Sequence, residues 1–130
     1  MPAGVLIVFV LGGLAVDASA VHLAQRELLD AAASAANDAA GAGIDTTALR
    51  STGAVRLDPT RARTAAERSL AGQGLAGLDP ASVHVEVDPD AATVTVRAAR
   101  RTRHVFAPAL PGGDRTIVVH AAASAQARAR

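Results

Sequence analysis

An apolar run near the N-terminus sets the first limit on the fold, because residues 3–16 include no charged or strongly polar side chain. As a helix that rises about 1.5 Å per residue, the run reaches roughly 21 Å, less than the roughly 30 Å hydrocarbon core of a bilayer. This length suits the core of a signal peptide, but no basic residue precedes it. The short length of the run and the missing basic residue are both explained if Met1 is an internal methionine. We therefore expect apolar and basic residues to be encoded upstream.

A small-x-small motif, Ala18-Ser19-Ala20, follows the run and leaves two alternatives open. Signal peptidase cuts such motifs, and cleavage after Ala20 would release a small secreted binding domain. If the helix continues, the chain is instead anchored in the membrane. Asp17 then lies in the outer headgroup layer or within the bilayer, where a carboxylate costs about 2.5–3.5 kcal/mol at the centre.

The composition of residues 18–40 favours one continuous helix. The segment lacks Pro and Gly, and good helix formers fill most of its positions. Val21, Leu28 and Ala35 recur at seven-residue spacing. Small side chains flank them on the same stripe, namely Ala24, Ala31 and Ala32. Because small residues let helix backbones approach closely, the stripe predicts a seam for packing against another helix.

Glycines and one Asp-Pro pair indicate where the helices end and begin. Gly41 and Gly43 predict the end of the first helix with a left-handed cap, and residues 43–57 are predicted to be a linker. Asp58-Pro59 predicts a second helix, because Asp caps a helix and Pro fits its first turn. This helix is predicted to end at Gly72 or Gly74 and to turn four side chains inward: Ala62, Ala65, Ala66 and Leu70.

Alternating patterns predict three strands in the remainder of the chain. Valines alternate with polar residues over 82–88, the turn Pro89-Asp90 follows, and the alternation resumes over 93–97. Residues 115–124 read as a third strand after a loop that contains Pro and Gly. The predicted fold is therefore α+β, with a transmembrane and stalk helix over residues 1–42. The linker leads to a small domain at 58–130, in which one helix packs on a three-stranded antiparallel sheet.

Composition and motifs argue against several classes of function. The net charge of +1 and the scarcity of aromatic side chains, with Phe106 alone in the domain, exclude a nucleic-acid interface. The absence of Cys excludes disulfides and thiolate metal sites. No nucleophile motif, phosphate loop or paired-carboxylate spacing is present. We therefore predict a protein that is not an enzyme and has no cofactor or small-molecule substrate.

Two sets of polar residues each allow more than one interpretation. His84 and His120 could share a sheet face with Glu86 as metal ligands, or could simply be solvent-side strand residues. The densest charge cluster could contact anionic lipid headgroups or an acidic partner, or be a solvated hairpin end. Its members are Arg97, Arg100, Arg101 and Arg103.

The apolar run is followed by a Val-Asp step, polar and Leu positions and an alanine-rich segment, all within residues 15–43, AVDASAVHLAQRELLDAAASAANDAAGAG. This arrangement resembles the N-terminal segment of the TadE/TadG-like pilus-assembly family, the pseudopilin-related proteins of tight-adherence (Flp-type) pili. The matching positions are Val16-Asp17, Gln25-Arg26, Leu28-Leu29-Asp30, and residues 31–40 with Asn37-Asp38.

The resemblance implies a pilin-like architecture and a role in assembly. It implies a single-pass membrane protein with its C-terminal domain outside the cytoplasm, in contact with the lipid bilayer and with other pilin-like or pilus-assembly proteins. We expect the assembly contacts to come from the helix. The candidate residues are Asp17, Arg26, Leu28, Ala31, Ala35, Asn37 and Asp38.

Overall fold

The computed structural model describes residues 2–104 and 116–128. A long helix comes first, two short helices and one 3-10 turn follow, and three strands complete the chain. The elements are α1 (Pro2–Ala42), α2 (Thr46–Thr52), α3 (Pro59–Gly72), the turn Pro80–Ser82, β1 (His84–Asp88), β2 (Thr93–Arg103) and β3 (Thr116–Gln126). The α+β prediction is confirmed.

Aspartates begin the short helical elements. The side chain of Asp58 accepts hydrogen bonds from the backbone N–H groups of Thr60 and Arg61, as the Asp-Pro pair predicted. Asp79 caps the 3-10 turn in the same way, so the chain makes one helical turn before β1. Pro follows the Asp in both places, where its missing N–H costs nothing.

The predicted linker is not an irregular loop, because it contains α2. Asp45 caps this helix, and Gly53, with φ of 70°, ends it in the left-handed conformation. Gly43 does not adopt the left-handed cap that was predicted. Its importance is steric: a Cβ at this position would lie 2.8 Å from the Cβ of Ala62 on α3.

The strands form one antiparallel sheet in the order β1-β2-β3. β1 turns its alternate residues Val85 and Val87 toward the core, as predicted. β2 continues beyond the predicted end at Arg97 to Arg103, where it pairs with Thr116 of β3. The predicted Pro- and Gly-containing loop between them, with Pro108, Pro111, Gly112 and Gly113, lies outside the described residues, as does Phe106.

The core is built largely from alanine. The largest side chains that are fully buried are Leu28, Leu70, Val94 and Val96. The C-terminal half of α1 packs on α3 and on the inner face of β2 and β3, where it meets more alanines. Small side chains on both surfaces let the helix approach the sheet closely. The many van der Waals contacts made at this short distance compensate for the lack of large side chains.

The alanine stripe of α1 therefore covers the chain's own domain. Ala31, Ala35 and Leu28 are completely or almost completely buried in the shared core. Residues 24–40 of α1, which fall in the predicted stalk at 1–42, share one core with residues of the predicted domain at 58–130. Periodicity shows that a stripe is buried, but it does not show which surface buries it.

Candidate membrane-anchoring site

The N-terminal part of α1 extends beyond the domain and leaves large apolar side chains uncovered. Phe9 is 76% exposed and Val8 is 69% exposed. The other large apolar residues exposed in this part are Val5, Leu6, Ile7, Val10, Leu11, Leu14 and Val16. By length and composition, α1 is suited to cross a membrane. A water-exposed apolar surface of this kind marks a site that contacts another molecule or a bilayer.

Asp17 stands where the exposed apolar part gives way to the packed part. It is 4% exposed and lies on the same stripe as Ala24 and Leu28, on the side of α1 that faces the domain. One of its carboxylate oxygens, Oδ2, lies 3.8 Å from Nδ1 of His104, just after the end of β2. The carboxylate is thus directed toward protein, which resolves how an acidic residue can follow the apolar run without facing lipid.

A second polar contact joins the same helix and strand. The Arg100 guanidinium donates a hydrogen bond of 2.8 Å from Nη1 to Oε2 of Glu27 and one of 3.1 Å from Nε to the carbonyl of Ala76. Arg100 is 9% exposed, so its charge is held between α1 and the chain before β1. Buried arginine is stabilised in this way by ion pairing and hydrogen bonding together.

The two contacts define how β2 runs along α1. From Arg100 to His104 a strand advances about 13 Å, and from Glu27 to Asp17 a helix advances about 15 Å. The matching distances show that the strand runs beside the helix toward its apolar end. The C-terminal end of β2 therefore lies level with the end of the apolar run.

The apolar candidate residues and the polar ones have different surroundings. Leu28, Ala31 and Ala35 lie in the core, as described above. Asp38 accepts a hydrogen bond from the Ser69 hydroxyl and so fastens α1 to α3. Asn37 is exposed. These positions are not gathered into one site.

Arg26 lies on the opposite side of α1 from Asp17. Nine residues at 100° each rotate it about 180° from Asp17, and Arg26 is exposed. Among the described residues, Arg26 forms no ion pair with Asp30, although four-residue spacing places the two on one side of α1. The neighbouring Glu27 pairs with Arg100, a contact that sequence reasoning missed because Arg100 is distant in the chain.

The outer face of the sheet carries the histidines considered as metal ligands. His84 and His120 are both exposed on this face, but Glu86 lies 3.5 Å from Arg97 in an ion pair. Within residues 2–104 and 116–128, no group of three or more His, Asp or Glu side chains is arranged to hold a metal ion. Asp88 accepts hydrogen bonds from the backbone of the following turn, so its role in the turn is structural.

Comparisons with known proteins add no relative to this description. No protein-family model matches the chain, and neither a curated protein nor a solved structure is significantly similar to it. The class defined by the fold is a small α+β domain whose first helix extends as an apolar segment able to span a membrane.

Proposed function

We propose that this protein is a membrane-anchored, pseudopilin-like component of a tight-adherence (Flp-type) pilus or a related secretion apparatus. It acts through helix packing and assembly. One observation carries the anchoring: the large apolar side chains of α1 before Asp17 are exposed on a helix whose other half is buried in the domain. Each such side chain gains about 1.5–3 kcal/mol when it leaves water, so a bilayer stabilises this arrangement strongly.

Continuity of α1 supports anchoring over release by signal peptidase. Cleavage after Ala20 would remove Asp17 and its contact with His104. It would also place the new N-terminus at Val21, which is half-buried against the core. The alternative, a secreted small binding domain, therefore requires the domain to lose part of its own packing.

The location of the domain follows from the family resemblance. We place the C-terminal domain outside the cytoplasm, attached through a single pass of α1. The buried alanine stripe leaves two parts of α1 for contacts with other pilin-like helices: the segment within the membrane and the exposed side of residues 22–38. Small residues in the membrane segment, such as Gly4 and Gly12, have open space around them that a partner helix can fill.

The proposal is tested by the mature mass and the membrane association of the full chain, expressed with a C-terminal tag beside its genomic neighbours. We expect α1 to remain intact, detergent to be required for extraction, and pilus-assembly proteins to co-purify. A soluble product that begins at Val21 would establish the secreted alternative. An intact membrane protein whose neighbours encode no secretion ATPase or pilus component would contradict the assembly role while leaving anchoring in place.

A further inference from the structure

The last residues of β2 include two exposed arginines at the level where α1 leaves the domain. His104 contacts Asp17 at the end of the apolar run, and Arg103 is its neighbour in the chain. Arg101 lies two residues earlier, about 7 Å further along the strand. If α1 is anchored as proposed above, both arginines lie beside the bilayer surface.

The strand holds both arginine side chains on its outer face. Arg100, on the inner face, is fixed to Glu27 and to the backbone of the chain before β1. Because successive side chains of a strand alternate, Arg101 and Arg103 point to the opposite face, and both are exposed. The backbone N–H of Arg101 also donates to the carbonyl of Gly77, which secures this part of the strand.

These two arginines remain available for an external anion. Arg97 and Arg56 are paired with Glu86 and Asp90, whereas neither Arg101 nor Arg103 has an acidic side chain within 4 Å among the described residues. On α1, Asp17 and Glu27 are engaged on the inner side of the strand with His104 and Arg100. Asp79, which lies beside Ala99, accepts a hydrogen bond from the backbone N–H of Ala81. A guanidinium binds phosphate through paired hydrogen bonds, so it suits a phospholipid headgroup.

We propose that Arg101 and Arg103 form a membrane-surface contact that binds anionic phospholipid headgroups and holds the domain against the bilayer. The inference rests on the proposed anchoring through α1 and adds a lipid preference to it. Bound charge at the surface of an anionic membrane is favoured by about fivefold for each arginine. The chemistry is recognition of headgroup phosphate and negative surface charge rather than of a particular acyl chain.

The test uses the full chain reconstituted in phosphatidylcholine vesicles that contain trace spin-labelled lipid. Electron paramagnetic resonance separates the lipid that is immobilised by the protein from the bulk lipid. The measured quantity is the association of spin-labelled phosphatidylglycerol relative to that of spin-labelled phosphatidylcholine. We expect this ratio to be about five or more for the unaltered chain.

Two double variants that each remove two positive charges test whether the lipid preference comes from Arg101 and Arg103. The double substitution Arg101→Gln and Arg103→Gln should bring the ratio close to one, and Lys at both positions should retain most of it. The control is Arg61→Gln with Arg63→Gln on α3. Both of these arginines are exposed and lie beside Ala62, which adjoins Gly43 at the far end of α1. The control should keep the ratio of the unaltered chain.

The outcomes separate the lipid contact from the anchoring. If the unaltered chain immobilises lipid but with a ratio of one, the lipid contact is overturned while the anchoring stands. The same conclusion follows if the control variant loses as much of the ratio as the Arg101 and Arg103 variant does. If the ratio is one and the Gln variant instead loses an acidic protein from the co-purified assembly, the surface is a protein-docking site. The absence of any immobilised lipid contradicts the anchoring itself.

Discussion

Substitution of Ala35 by Leu distinguishes a helix seam that is buried by the chain itself from one that is free for a partner. Ala35 is completely buried where α1 meets the rest of the domain. Leu adds three carbon atoms in a region already filled with close-packed alanine. Overpacking of this kind costs about 1–3 kcal/mol. For a domain of this size, about 1 kcal/mol lowers the melting temperature by about 4–8 °C, so we expect a fall of roughly 4–24 °C.

The assay is thermal unfolding of the full chain in detergent, followed by circular dichroism. Ala33→Leu is the matched control, because Ala33 lies about 200° around α1 from Ala35 and is only half-buried. The control should unfold within a few degrees of the unaltered chain. If Ala35→Leu keeps the original melting temperature and instead loses its pilus partners, the stripe packs on other proteins and the intramolecular reasoning is refuted.

Three further substitutions test separate parts of the structure. Gly43→Ala should lower the melting temperature, because the added methyl group meets Ala62 at 2.8 Å; an unchanged value would show that α1 and α3 separate easily. Asp58→Ala should destabilise the domain by about 1 kcal/mol through loss of the cap, measured by urea unfolding, and a neutral effect would contradict the capping geometry. Gly12→Leu should weaken co-purification with other pilin-like proteins without changing domain stability. The control is Ala3→Leu, because Ala3 lies on the opposite side of the helix from Gly12. Equal behaviour of the two variants would argue against a helix contact at Gly12.

Local signals in the sequence were sufficient for the elements whose stability is local. The Asp58-Pro59 pair correctly placed the start of α3, because capping involves only the next few residues. The alternation of Val85 and Val87 correctly assigned the two faces of β1. The helix α2 was missed because seven residues form a marginal helix on their own. Its cap Asp45 and the left-handed Gly53 stand in a run rich in Thr, Ser and Gly that resembles a loop.

Long-range partners were beyond the reach of sequence patterns. The stripe through Leu28 and Ala35 was recognised, but a small-residue stripe has the same spacing whether it meets a sheet or another helix. The decisive information is on the sheet, where Ala121 and Ala123 present an equally small surface to α1. Nothing in the sequence at either strand position indicates which turn of the helix it contacts.

Asp17 lies at the boundary between the exposed apolar part of α1 and the part that packs on the domain. A carboxylate next to an apolar span is costly if it faces lipid, yet Asp17 turns toward the domain and meets His104. The same turn of α1 therefore ends the exposed apolar surface and begins the packed one. β2 reaches this level by extending to Arg103, which places His104 beside the carboxylate. We infer that the length of β2 and the position of Asp17 are matched, since a strand that ended earlier would not bring His104 to the carboxylate.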